Sequence, residues 1–137
     1  MNISIVVGEF HRDIAEVMVS EAKKEAKKMK VKVIDVIWIP GSYEAPIVTD
    51  KLLRKKAIDA VVVLGYIDKG ETMHGEVMGH VVHGALIDLQ LKYRKPIGLG
   101  MIGPGATEKQ AHVRKERAAQ AAMRAAVKVQ ATLKKLL

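Results

Sequence analysis

The sequence contains no cysteine, which excludes a disulfide framework, a thiolate nucleophile and a thiolate metal site. Aromatic residues make up only 4% of the chain, so aliphatic side chains and alanine must fill its core. No apolar run approaches the roughly 20 residues that a membrane span needs. The first residues, Met1 to Val7, also lack the basic flank of a signal peptide. A soluble cytoplasmic protein without membrane contact is therefore expected.

Basic residues dominate what is present, with a formal net charge of +8. Such a charge is compatible with a nucleic-acid partner or with a phosphorylated substrate. The lysines of the first predicted helix are interleaved with Glu21 and Glu25, which is typical of a solvated helix face. Because no nucleic-acid-binding motif accompanies the charge, we expect no nucleic-acid partner. The length of 137 residues predicts a single domain over residues 1–137.

Short apolar runs alternate with segments of helical periodicity along the whole chain. The predicted strands cover residues 3–7, 31–39, 59–66 and 96–102, and the predicted helices cover 13–30, 45–55, 73–93 and 107–137. Strands that alternate with helices form parallel sheets covered on both faces. The sequence therefore predicts an α/β fold, a three-layer α/β/α sandwich with a four-stranded parallel sheet.

Local signals predict where several helices begin. Asp13 is predicted to cap the first helix, and Pro46 fits the first turn of the second. Thr107 and Gln110 have the spacing of a capping box for the last helix. The segment 103–105, Gly-Pro-Gly, is predicted to turn the chain after the fourth strand.

Ligands of such folds bind beyond the carboxyl ends of the strands. The segments at these four ends are rich in glycine and polar residues, whereas the loops of the opposite edge contain no glycine. These segments cover residues 8–11, 40–44, 66–72 and 103–105. The asymmetry predicts one site, at one edge of the sheet.

The stretch from Gly70 to His74 carries the strongest chemical signal. It joins an apolar strand to a helix, so that backbone N–H groups, the hydroxyl of Thr72 and the imidazole of His74 come together. A helix N-terminus binds anions, and an imidazole transfers protons near neutral pH. The alternative, a solvent-facing histidine in the first turn, is less favoured in this context.

Three other residues have two readings each. Phe10, the only phenylalanine, could stack on a planar ring or plug the end of the sheet. Glu44 could cap a helix or accept hydrogen bonds from a polyol. Arg114 could bind an anion or be an ordinary helical arginine. The spacing alone does not separate these readings.

Glu76, His80 and His83 share one predicted helix, which raises the question of a metal site. Their spacing matches no zinc motif, and helical histidines usually pack or face water. We therefore predict no metal site there, and His112 is interpreted in the same way.

Four motifs in order resemble those of one family. Phe10-His11 looks like its Phe-Asn or Phe-His, and Ile39 to Pro46 resembles V-P-G-[AS]-[FY]-E-x-P. Leu64 to His74 resembles L-G-x-x-x-x-G-x-T-x-H, and Gln110 to Arg114 resembles Q-A-x-x-R. Over nearly its whole length the chain resembles the 6,7-dimethyl-8-ribityllumazine synthases of riboflavin biosynthesis. The Gly-Pro-Gly segment and Leu99 are similar to archaeal members.

The resemblance implies a flavodoxin-like fold and a transferase that needs no cofactor. Members join 5-amino-6-(D-ribitylamino)uracil to 3,4-dihydroxy-2-butanone 4-phosphate. An imine forms, phosphate leaves, and ring closure gives the lumazine. Members are homopentamers with active sites between neighbouring subunits, and twelve pentamers can form an icosahedral shell. A pentamer or a multiple of pentamers is therefore implied.

The resemblance also implies a role for each site residue. Phe10 would stack on the pyrimidine, Arg114 would complete the phosphate site, and His74 would move protons. The remaining substrate contacts that it implies are Ser42 and Glu44 on the ribityl chain, the backbone of Tyr66 and Ile67 at the uracil edge, Gly70, Glu71 and Thr72 around the phosphate, and His11, Gly41, Tyr43 and Leu99 nearby.

Three alternatives stay open beside this reading. A related archaeal riboflavin synthase would disproportionate two lumazines, but that reaction has no phosphate for the Gly70 to Thr72 segment to hold. A flavin-binding or shell-forming relative without catalysis would not need His74, Glu44 and Arg114 together. A basic nucleic-acid-binding α/β domain would bind DNA or RNA with a steep salt dependence.

Overall fold

The computed structural model describes residues 1–137, and strands and helices alternate along all of them. The elements are β1 (Asn2–Gly8), α1 (Arg12–Lys28), β2 (Lys32–Ile39), α2 (Ala45–Leu53), β3 (Ala60–Asp68), α3 (His74–Tyr93), β4 (Ile97–Ala106) and α4 (Glu108–Lys135), with a short 3-10 turn at Ser42–Glu44. The predicted alternation is confirmed.

The four strands form one parallel sheet in the order β2-β1-β3-β4. The three-layer, flavodoxin-like α/β/α fold is therefore confirmed. None of the helices combines the length and the apolar character that crossing a membrane would require.

The side chains of β3 alternate between two buried clusters, as the period of a strand dictates. Val62 and Leu64 pack with α1 and α4 in one cluster, whereas Val61 and Val63 pack with α2 and α3 in the other. Burying one such side chain contributes about 1.5–3 kcal/mol. The sheet is thus fixed between its two helical layers, and the carboxyl ends of its strands meet at one edge.

The packing of α4 on β4 depends on small residues. A Cβ at Gly98 would overlap the carbonyl group of Ala122, and a Cβ at Gly100 would lie 2.9 Å from the Ala122 side chain. The alanine-rich helix therefore lies almost directly on the strand backbone. The scarcity of aromatic residues fits this close approach.

Two of the predicted helix starts are confirmed and one is wrong. Pro46 lies in the first turn of α2, and Thr107 and Gln110 form both hydrogen bonds of the capping box. Asp13 does not cap α1, because the helix already begins at Arg12 and its N-cap is His11 in the left-handed conformation. Asp13 instead lies in the first turn, where a carboxylate favours the helix dipole.

The predicted turn at residues 103–105 is also wrong, since β4 continues to Ala106. Ala106 pairs with Asp68 across a register shift, and its carbonyl accepts the N–H of Lys69 at 3.0 Å. The glycines fit this irregular extension, because Gly103 and Gly105 have φ angles of 96° and 92°. The extension brings β4 alongside the loop after β3.

Candidate active site

A cavity of about 420 Å³ opens at the carboxyl edge of the sheet. Its walls come from the ends of β1, β2 and β3 and from the first turns of α3. The lining residues are Phe10, Pro40, Gly41, Ser42, Tyr66, Ile67, Asp68, Lys69, Gly70, Thr72, His74, Gly75 and Met78. The edge predicted from the loop composition therefore does carry a cavity.

The first turn of α3 approaches the end of β3 closely because residue 75 is glycine. A Cβ at Gly75 would lie 2.5 Å from the carbonyl oxygen of Asp68. This approach brings Thr72 and His74 to the cavity wall. The backbone N–H groups of Thr72, Met73 and Gly75 have no acceptor within the chain. Unpaired N–H groups at a helix N-terminus are suited to bind an anion.

The N–H of Gly70 is already used, because it is donated to Oδ1 of Asp68 at 3.2 Å. The φ angle of 59° at Gly70 lies in the left-handed region, which glycine adopts at little cost. Thr72 has a second function, since its hydroxyl accepts the N–H of His74 at 3.3 Å. After residue 70, the N–H groups of Thr72, Met73 and Gly75 therefore stay free for an anion, whereas that of His74 is used.

Phe10 lies at the mouth of the cavity with 54% of its surface exposed. A ring this exposed does not plug the sheet, so the stacking interpretation is favoured. His11 is not a lining residue. Its ring packs edge-on against Phe10, with 4.4 Å between the centroids, and its Nε2 lies 3.4 Å from Oδ2 of Asp68. His11 therefore supports the wall from behind.

The turn after β2 supplies the other side of the cavity. Gly41 and Ser42 line it, and Ser42 is buried. Tyr43 is partly exposed, and its ring lies 5.9 Å from that of His74. The Glu44 side chain does not cap α2 and turns back toward Gly41. The polyol interpretation of Glu44 therefore fits the geometry better than the capping one.

Tyr66 and Asp68 form the floor between these walls. The hydroxyl of Tyr66 lies 2.8 Å from the carbonyl oxygen of Ala106 and 3.1 Å from Oδ1 of Asp68, so one hydrogen serves two acceptors. Burial, followed by the interaction with Asp68, raises the pKa of Tyr66 to about 12. The N–H of Gly70, more than the other partners, lowers the pKa of Asp68. At neutral pH the floor therefore combines a neutral phenol and an ionised carboxylate.

A second cavity of about 470 Å³ lies on the other side of the 69–72 loop. Glu71 lines this cavity rather than the first one, together with His80 and Pro104. Lys69 lines both, so it supplies a cation close to the free N–H groups.

Two predicted site residues lie elsewhere in the subunit. Leu99 pairs with Val63 in the middle of β4 and is partly buried beside the α2 and α3 cluster. Arg114 is exposed on α4, and its guanidinium donates to the carbonyl of Gln110 at 3.3 Å. Because α4 and α3 cover opposite faces of the sheet, one chain does not bring Arg114 and His74 into the same cavity.

The histidines predicted not to bind metal have other partners. His83 contacts the carbonyl of Gly79 at 2.8 Å, and Nε2 of His80 lies 4.0 Å from Glu76. His112 forms a cluster with Asp13 and Glu108, which sequence reasoning did not connect. Lys115 lies 3.5 Å from the other ring nitrogen of His112, and α1 and α4 both begin here. These positive charges and dipole ends favour histidine–carboxylate pairing over a bound cation.

Sequence reasoning gave no role to Asp68, Gly75 or Met78, although each lines the cavity. Asp68 could have been noticed as an acidic residue at the end of an apolar strand. Nothing in the local sequence connects it to His11.

Comparison with known proteins identifies the family of this chain. The family described as 6,7-dimethyl-8-ribityllumazine synthase matches residues 1–134. A protein of that name from Saccharolobus solfataricus is 41% identical over 136 residues, which cover 99% of this chain and 88% of the relative. Another, from Metallosphaera sedula, is 39% identical over 137 residues, which cover 100% of this chain and 91% of the relative. The chain, whose site carries the ordered motifs on one sheet edge, belongs to the 6,7-dimethyl-8-ribityllumazine synthase family.

Proposed function

We propose that the protein condenses 5-amino-6-(D-ribitylamino)uracil with 3,4-dihydroxy-2-butanone 4-phosphate to 6,7-dimethyl-8-ribityllumazine, releasing phosphate and water. The observation that carries this proposal is one cavity that joins an exposed aromatic ring, a polar turn and a helix start with free N–H groups. A planar base, a polyol and a phosphate each find suitable partners there. The whole chain, residues 1–137, would act as one domain in the cytoplasm and without a cofactor.

The pyrimidine half would bind between Phe10 and the end of β3. Phe10 offers its exposed face for stacking, and backbone groups of Tyr66 and Ile67 can pair with the uracil edge. Ser42 and Glu44 lie beside this space and can hydrogen-bond the ribityl hydroxyls. Tyr43 and Gly41 would close the same side.

The phosphate half would bind at the start of α3. The free N–H groups after Gly70 supply neutral donors, and Lys69 supplies a cation. Electrostatic stabilisation of the leaving phosphate is what this step needs most from the protein. His74 lies in the same turn and can pass protons during imine formation and phosphate elimination.

Arg114 and Leu99 would complete the site from a neighbouring subunit. Each lies outside the cavity of its own chain, and α3 carries exposed apolar side chains that another copy could cover. We propose a homopentamer, or a multiple of pentamers up to an icosahedral shell. In that assembly Arg114 would reach the phosphate held by the next subunit.

The first test combines purified protein with both substrates and follows lumazine absorbance and free phosphate together. Equal formation of both above the uncatalysed background is expected. Folded, assembled protein that forms neither would contradict the proposal. Formation of riboflavin from lumazine would instead support the disproportionating alternative.

A second test asks whether the site is shared between subunits. His74→Ala should slow turnover while substrate binding survives. Arg114→Ala should weaken the binding of butanone phosphate more than the binding of the pyrimidine. Each variant alone is expected to be nearly inactive under limiting substrate. If neighbours supply the two residues, co-refolding the variants in equal amounts restores about a quarter of the sites. No recovery in assembled mixtures would contradict a shared site.

A further inference from the structure

Asp68 joins more parts of the cavity than any single motif indicates. Its Oδ1 accepts the N–H of Gly70 at 3.2 Å and faces the hydroxyl of Tyr66 at 3.1 Å. Its Oδ2 lies 3.4 Å from Nε2 of His11. One carboxylate therefore contacts the end of β3, the loop before α3 and the start of α1. The family motif L-G-x-x-x-x-G leaves this position unspecified.

Each contact of Asp68 leads to a different segment around the cavity. The Tyr66 hydroxyl connects it to the extension of β4, because the carbonyl of Ala106 shares the same hydrogen. His11 connects it to Phe10, whose ring packs edge-on against the imidazole. Displacement of Asp68 would therefore disturb both the loop that precedes α3 and the aromatic side.

We propose that Asp68 is a positioning residue, whose carboxylate holds the 69–72 loop so that the free N–H groups after Gly70 face the substrate phosphate. This inference rests on the proposed function of the site. Asp68 does not itself bind the phosphate, since like charges repel. Its contact with His11 offsets part of that repulsion when the imidazole is protonated.

Two substitutions separate the hydrogen bonds of Asp68 from its charge. Asp68→Asn keeps an oxygen that can accept from Gly70 and Tyr66, whereas Asp68→Ala removes every acceptor. Both lose the negative charge, so their difference measures the hydrogen bonds alone. Asp35→Ala is the matched control, because Asp35 is an exposed carboxylate on β2, outside the cavity and away from the apolar surface of α3.

The experiment uses the assembled full-length protein and inorganic phosphate as the probe. Calorimetry gives the phosphate Kd, and amide hydrogen exchange reports the segment 66–77. Asp68→Ala is expected to weaken phosphate binding roughly tenfold, because the hydrogen bonds that hold the loop are lost. Amide hydrogen exchange in the segment 66–77 should become faster in the same variant. Asp68→Asn should bind phosphate at least as tightly as wild type, and Asp35→Ala should match wild type.

Steady-state kinetics supply a readout that general destabilisation would not produce. For Asp68→Ala the KM for butanone phosphate should rise roughly tenfold while kcat falls less than about threefold. The lost contacts stabilise the bound substrate and the transition state equally, so their loss weakens binding more than turnover. Asp68→Asn should restore the KM. Unchanged phosphate Kd and exchange in Asp68→Ala would overturn the inference, as would an Asn variant as weak as Ala. If wild type forms no lumazine, the proposed function fails, whereas calorimetry and exchange still decide the role of Asp68.

Discussion

The helical layers on the two faces of the sheet differ in how completely they bury their apolar side chains. On the α1 and α4 face, the two helices cover each other and most of their apolar side chains lie inside, although Val113 and Val129 on α4 are 73% and 44% exposed. Polar contacts close the outer surface, since Gln120 donates to Glu21 at 3.0 Å and Arg124 donates to Glu25 at 3.2 Å. The contact between these two helices is therefore closed within a single chain.

The α2 and α3 face leaves large apolar side chains uncovered. Ile47 on α2 is 75% exposed, and Leu91 and Val81 on α3 are 69% and 57% exposed. A contiguous patch of exposed apolar residues often marks a site of interaction with another protein. The α1 and α4 face should therefore be sensitive to added volume in its packed interior. The α2 and α3 face should be sensitive to added charge on its exposed surface.

The largest effect is expected from Val81→Glu, which tests the open face. A carboxylate buried at a subunit interface without a partner costs several kcal/mol, so the assembly should dissociate. Lumazine formation should fall more than about tenfold, because a shared site would lose its second half. Analytical ultracentrifugation and the lumazine assay measure both effects.

Ala125→Glu is the control for this substitution, since it adds the same charge at an exposed position of α4 on the closed face. It should sediment and react as wild type does. An intact assembly in Val81→Glu would show that the open face is not an interface.

The second effect concerns the inner side of α3, where Gly75→Ala would push the helix start away from β3. A displacement of about 1 Å in a positioned catalytic group can cost on the order of 10²-fold in rate, so kcat/KM should fall steeply. Gly84→Ala makes the same change on the same helix where no atom lies within 4 Å. Gly84 lies one turn from Val81 on the open face, so the comparison uses assembled protein, in which Gly84→Ala should keep kcat/KM and stabilise the helix by up to about 1 kcal/mol. Equal kinetics for both variants would refute a positioning role of residue 75.

The third effect tests the closed face from the inside. Gly98→Ala forces a methyl group into the Ala122 backbone, and overpacking of this kind costs about 1–3 kcal/mol. Urea unfolding should show this loss of unfolding free energy. Ala125→Leu, on the outside of α4, should change it by less than about 0.5 kcal/mol. A Gly98 variant as stable as wild type would mean that α4 can move away from β4.

The smallest effect should be alike on both faces, because each has one carboxylate with a lowered pKa. The Tyr93 hydroxyl, 2.7 Å away, is the main cause for Asp50, and Gln120 is the main cause for Glu21. A depressed folded-state pKa stabilises the fold above the ordinary pKa, and this contribution disappears as the pH falls through the folded value. Asp50→Asn and Glu21→Gln should therefore be slightly less stable than wild type near neutral pH. The difference should shrink as the pH falls below the ordinary pKa values of 3.8 for Asp50 and 4.5 for Glu21, and vanish once the pH lies below the lowered values of the folded protein. Stability measured across this range checks the sign.

Most of the fold could be predicted because its signals are local. Apolar runs and helical periodicity located every strand and helix, and the capping box at Thr107 needs only the residues up to Gln110. The wrong predictions concern segments whose structure depends on more than the local sequence pattern. The strand β4 continues past Gly103 because Ala106 pairs with Asp68, and His11 replaces Asp13 as the N-cap because its backbone adopts the left-handed conformation.

The site was predictable to the same extent. The loops meet at one edge because parallel strands all end there, so Phe10, Ser42 and His74 could be grouped from their positions alone. The use of the Gly70 N–H by Asp68 could not be seen, since the contact depends on how the loop folds back. The role proposed for Arg114 concerns a neighbouring subunit, which the structure of a single chain does not contain.

The unpaired N–H groups at the start of α3 have a consequence for how this enzyme can evolve. They belong to the backbone, so a side-chain replacement at Met73 leaves the donor in place. Apart from proline, a replacement can affect these backbone donors only by moving the helix start, which depends on Gly75 and on the contact between Asp68 and Gly70. The proposed phosphate recognition would thereby be insulated from most side-chain replacements.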